Sequence, residues 1–200
     1  MTWNLKDLVR HAVTTAFNPR EGAALVLAQN IPRELGWPLL SLVSVLSVIA
    51  VKGVELLFRG FGVTLVLSPV EGAFALAIVQ FSLAVIMVFG IFWGGRAFGG
   101  QGRFGDTIVL VAWLQFVLFC LQILQIAALF LFPVLVTVIS MAGIVLFFWL
   151  LTTFVAVIHG FQNMGRVFLG IIGALVLMAF VMTIILTMIG FQIPEVPSDV

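Results

Sequence analysis

Residues 100–105 read GQGRFG, the G-x-G-x-x-G spacing that wraps a dinucleotide pyrophosphate when a strand precedes it and an acid follows about 20 residues on. Neither condition is met. The run before it is a long apolar segment of helical length, and QILQIAALF lies where the acid should be. The G-K-[ST] ending of the other common phosphate loop is also absent. The loop therefore reads as a connector, with Asp106 expected to cap the helix after it. Arg96 and Arg103 suit anionic headgroups at a membrane surface. His159 stands at a helix end beside Gly160, and Arg166 follows in a short polar turn. With no second His, Cys or carboxylate nearby, His159 is no metal ligand set. It is the one residue there that could titrate as a switch.

A second group of polar residues lies inside apolar runs. Gln115, Gln122 and Gln125 are spaced to share a helix face, and Gln80 sits in the run before them. A glutamine in lipid needs a partner, so this face should point at other helices, either as glue or as the lining of a polar path. Lys52, Glu55 and Arg59 are spaced to pair along one face. Gly90 and Gly94 form a G-x-x-x-G that would allow close helix approach. Asp106 is the only acid between Gly72 and Pro194, and Cys120 is the only cysteine. Acid–base, nucleophilic and metal chemistry all need more than this, so no catalytic residue, cofactor or metal is expected.

The elements that hold these residues follow from composition. Of 200 residues, 63% are hydrophobic and 8% charged, with a net charge of +1. So few charges cannot cover a water-soluble globule, and lipid must be the main solvent. The balance gives no reason to expect nucleic acid. Residues 1–34 form a cytoplasmic, interfacial segment. Helical spacing of apolar residues over 3–17, and NPRE capping logic at 18–21 (Asn18 cap, Pro19 first, Glu21 reaching back), predict two short amphipathic surface helices, the second ending near 29. No apolar stretch of signal-peptide type precedes the first span, which is expected to double as the insertion signal.

Five spans follow within a membrane domain over 35–190: about 35–57, 69–93, 107–131, 134–158 and 167–190. SPVE at 68–71 repeats the capping logic and sets the second start at Pro69. Thr107 to Gly165 holds 59 residues without a charge, too long for one span of about 20 residues. Pro133 divides it. Residues 191–200 are a short tail. The fold class is all-α, a polytopic membrane protein with five transmembrane helices and short N-terminal amphipathic surface helices.

Two stretches carry a family resemblance. One is the glycine-rich basic loop entering the third span, GGRAFGGQGRFGDTIVLVAWLQ (94–115). The other is LFFWLLTTFVAVIHGFQNMGRVFLGIIGAL (146–175), where a tryptophan-bearing helix ends at His-Gly before a polar turn and the last helix. Over roughly 18–190 the chain resembles the Yip (Ypt-interacting protein) domain family in its compact bacterial form. The resemblance implies a non-enzymatic protein of the bacterial inner membrane, acting as a scaffold or adaptor through self-association or other membrane proteins. The alternative is a small transporter or channel component using the glutamine face. Eukaryotic relatives bind Rab-type GTPases and have a long cytosolic N-terminal region. About 34 residues precede the first span here, so no GTPase-binding residue is carried over.

Lys6, Arg10, Arg20, Arg33, Arg96, Arg103 and Arg166 fall on one side of the five spans, against Lys52 and Arg59 on the other. The positive-inside rule then puts the N-terminus in the cytoplasm and the C-terminus on the opposite side. A reporter fused after Val200 should be active only on the non-cytoplasmic face, and a cytoplasmic signal from it would contradict this orientation.

Overall fold

The computed structural model describes residues 4–188, and every regular element among them is a helix: α1 Leu5–Phe17, α2 Pro19–Leu27, α3 Arg33–Gly60, α4 Ala73–Ala97, α5 Phe104–Leu131, α6 Val134–His159 and α7 Met164–Met188. The helices α3 to α7 are long and apolar enough to cross a membrane, as the five apolar runs require. Residues 1–3 and 189–200, with the start of the first expected helix, the end of the fifth span and the tail, lie outside the described residues.

The α3, α5 and α6 bounds fall close to the expected spans, and α7 starts a few residues early. The α4 helix differs. It begins at Ala73 rather than Pro69 and runs on to Ala97 rather than Trp93. SPVE forms no helix cap because its groups are held by α3. Glu55 accepts hydrogen bonds from the Leu67 and Ser68 amides (2.8 and 3.1 Å), and Lys52 donates to the Val70 carbonyl at 2.8 Å. The Ser68 hydroxyl accepts from the Val70 amide at 3.2 Å, closing its own small turn. Lys52 and Glu55 pair at 2.7 Å, but the expected Glu55–Arg59 pair is not formed, since both Glu55 oxygens are already engaged. This cluster lashes the α3–α4 loop to the end of α3.

Capping differs elsewhere in detail. Pro19 does occupy the first turn of α2, yet the Asn18 side chain makes no capping bond. Asp106 does not cap α5. The helix starts at Phe104 with Arg103 in the N-cap position, and Asp106 sits in the first turn, where an acid favours the positive helix end. Asn163 does cap α7, its Oδ1 accepting from the Arg166 amide at 3.0 Å.

The α5 helix is the hub, touching α3, α6, α4, α1 and α2. Two cores flank it. Leu40, Ala84, Val88, Ile108, Val111 and Ala112 join α3, α4 and α5. Ala12, Ala23, Val26, Trp113, Leu114, Leu150 and Phe154 join α1, α2, α5 and α6. The α7 helix packs on α6.

Burial is concentrated at one end. Every residue from Thr107 to Leu114 and from Leu150 to Ala156 is buried, whereas the opposite half of α6 is largely exposed and that of α5 mostly half-buried. A 28-residue α5 is about 42 Å long, about 12 Å more than the hydrocarbon needs. The α1–α2 pair packs against this end.

The two N-terminal helices are thus not simply laid on a surface. Ala12, Ala23 and Val26 are buried against the bundle, while Leu5, Val9, Val13 and Phe17 face outward. Gly22 lets α2 cross close to α1, since a Cβ there would overlap Thr15. Thr15, fully buried, donates to the His11 carbonyl at 2.7 Å and accepts from the Trp113 indole nitrogen at 3.1 Å.

Trp113→Phe should lower stability by about 1 kcal/mol, the net worth of one such bond, in unfolding measured in detergent. In that background Thr15→Val should cost less than it does in the wild type. Equal costs in both backgrounds would contradict a direct bond.

Candidate functional site at the glycine elbow

The glycine run begins as a helix stop. Gly99 takes a left-handed φ of +84°. Its amide donates to the Arg96 carbonyl at 3.0 Å, and the Gly100 amide donates to the Gly95 carbonyl at 2.9 Å. These two bonds make a Schellman closure of α4. The chain then turns through Gly102 into α5.

What the elbow encloses is an imidazole. His159, the last residue of α6, is 5% exposed. A Cβ on Gly95 or Gly100 would overlap its ring, and one on Gly102 would press on Ile158 and on His159 Nε2. The three glycines therefore leave the volume that the ring fills. Phe161 stacks on it, with ring centres 5.6 Å apart, and left-handed Gly160 (φ +73°) turns the chain out of α6. Nδ1 lies 3.2 Å from the Val155 carbonyl and so carries a proton that donates to it. Nε2 is sealed from solvent without a hydrogen-bond partner among the described residues.

The expected contact-loop residues meet here in part. Arg96 lies over the Phe92 ring at 5.2 Å, and Arg33 over Phe104 at 5.0 Å. Phe92 and Phe104 are themselves in edge contact at 5.1 Å, so the cations rest on one aromatic cluster. Arg103 and Arg166 are exposed, and Asp106 is half-buried. Among the described residues no group of three His, Cys, Asp or Glu could hold a metal. The arrangement can fix the α4–α5 corner against the end of α6.

The glutamines divide. The Gln115 side-chain oxygen lies 3.2 Å from the Ser44 hydroxyl, and Gln122 donates to the Ser47 carbonyl at 2.9 Å, both on α3. Gln125 turns the other way and donates to the Ser140 hydroxyl of α6 at 3.2 Å. Gln80, half-buried on α4, has no hydrogen-bond partner among the described residues. The G-x-x-x-G glycines are not the ones used within the chain. A Cβ on Gly90 or Gly94 would meet open space.

The model of the Yip1 domain matches residues 13–185, from within α1 through nearly all of α7. The chain belongs to the Yip1 domain family. Comparison with curated proteins and with solved structures gives no match in either. The Yip1 match covers both stretches that meet at the elbow, residues 94–115 and 146–175, and the long apolar helices α3 to α6 with nearly all of α7. This is therefore a Yip1-type membrane protein in which the two stretches of family likeness touch through His159 and the elbow glycines.

The residues that sequence reasoning missed are Gly95, as a ring contact, and Thr15. The helix-ending Gly99–Gly100 pair was a usable signal for the first, through its Schellman pattern. Nothing local marked the second.

Gly95→Ala and Gly100→Ala should each destabilise the Yip1 domain by about 1–3 kcal/mol, the range for overpacking. Gly94→Ala should change little. A His159→Ala partner substitution should recover part of the Gly95→Ala loss in detergent melting curves. Equal effects at Gly94 and Gly95 would contradict the clasp.

Proposed function

We propose that this Yip1-domain protein is a non-enzymatic membrane scaffold or adaptor of a bacterial inner membrane, with the α1 end in the cytoplasm. Contacts run through α4 within the membrane and through the cytoplasmic elbow, with Arg96, Arg103, Asp106, His159 and Arg166 on or beside it. The observation that carries this reading is α4. Only Ala84, Val88 and Gly95 of its residues are buried, while Phe74, Ile78, Leu83, Ile86 and Trp93 are exposed. Gln80 is a two-way hydrogen-bonding group left without a partner on that helix. In lipid such a group favours another helix. A second copy supplies an amide that both donates and accepts, and Gly90 and Gly94 leave room for close approach along the same helix.

The transporter reading draws less support. Gln115 and Gln122 are engaged with α3, and Gln125 with α6. Neither of the two cavities described below is lined by an α5 glutamine.

Single cysteines at Leu83 or Ile86, in a Cys120→Ala background, should give crosslinked dimers in native membranes. Gln80→Leu should weaken that association about fivefold, the effect of losing about 1 kcal/mol of interhelical hydrogen bonding. Crosslinking confined to unrelated positions, or unaffected by Gln80→Leu, would contradict the α4 interface.

A further inference from the structure

Beside the α1–α2 corner the bundle carries two adjoining cavities, of about 440 and 250 Å³. The larger is lined by Phe17, Arg20, Glu21, Trp149 and Thr153 among others, and the smaller continues past Arg20 to Gly160 and Gln162. Together they form a groove along the last three turns of α6. Trp149 is ten residues before His159, about 15 Å along the helix. The groove therefore runs from the helix end toward the apolar part of the span.

Its lining has an unusual charge pattern for a membrane-facing cleft. Arg20 and Glu21 are neighbours, both are exposed, and neither is in an ion pair or side-chain hydrogen bond among the described residues. One cation and one anion thus stand open on the same cavity wall. The flanks are apolar and aromatic. Phe17 is 79% exposed and Trp149 is 52% exposed, and a half-buried indole suits the boundary between headgroups and acyl chains.

We propose that this groove holds the headgroup of a zwitterionic phospholipid from the bilayer. The phosphate lies against the Arg20 guanidinium, which can bind two of its oxygens. The ammonium lies against the Glu21 carboxylate, with the face of Trp149 close by to receive a cation. The acyl chains run along the exposed side of α6 past Trp149. A purely anionic headgroup matches only half of this pattern, because its second polar group meets Glu21 without a positive charge. The inference rests on the membrane placement of the helices and not on the scaffold reading, so a failed α4 crosslink leaves it standing.

The test uses the full chain purified in mild detergent. Phosphatidylethanolamine, phosphatidylcholine and phosphatidylglycerol are added separately at equal concentration, and retained lipid is read by native mass spectrometry. The two zwitterionic lipids should be retained about tenfold better than phosphatidylglycerol. Arg20→Gln should remove retention of all three. Glu21→Gln should erase the preference while leaving phosphatidylglycerol bound as before. Both side chains are exposed, and unchanged melting curves of the lipid-free variants will show that the fold is intact. A wild type that retains phosphatidylglycerol as well as the others would overturn the proposal, as would either variant keeping the wild-type preference.

Discussion

Lipid gives helices no hydrophobic reason to associate, because a neighbouring acyl chain is as apolar as a neighbouring leucine. Association has to come from hydrogen bonds, from close approach at small residues, and from whatever part of the protein leaves the hydrocarbon. The first two are found together at one end of this bundle. Gly95, Gly100 and Gly102 admit the His159 ring, Trp113 bonds Thr15, and α1 and α2 bury Ala12, Ala23 and Val26 on α5 and α6. Where the chain meets water the hydrophobic effect applies again, at about 25 cal/mol per Å² of apolar surface buried. The α1–α2 end is packed like a soluble core, while the opposite half of α6 is largely exposed.

This asymmetry gives the molecule two kinds of surface. The consolidated end presents cationic residues, with Arg33 and Arg96 resting on Phe104 and Phe92. The membrane face presents α4 and α7 with few buried residues. The opposite end is held by a small polar cluster, in which Lys52 and Glu55 bind the backbone of 67–70. A densely packed end thus joins spans whose apolar faces are open.

Much of the architecture was legible because lipid imposes it. A charge-free run of 59 residues with one proline near its middle has few foldings other than two helices and a turn. Boundaries failed where tertiary partners outbid local chemistry. SPVE has every feature of a capping box, yet Lys52 and Glu55 claim its backbone and α4 starts four residues later. The partner of the elbow was hidden, since His159 lies more than 50 residues beyond Gly102. Likewise G-x-x-x-G spacing singled out Gly90 and Gly94, when the glycines in close contact at this corner are Gly95, Gly100 and Gly102. Spacing shows which residues share a face, and only the packed neighbours show which face is used.

The central claim is that α1 and α2 are part of the bundle and not a pair of helices merely resting on lipid. Hydrogen exchange of residues 4–30 tests it, comparing the full chain in lipid nanodiscs with the isolated segment bound to vesicles of the same lipid. The account predicts that the amides around Ala12, Thr15 and Ala23 exchange far more slowly in the full chain. Equal exchange in the two settings would contradict it.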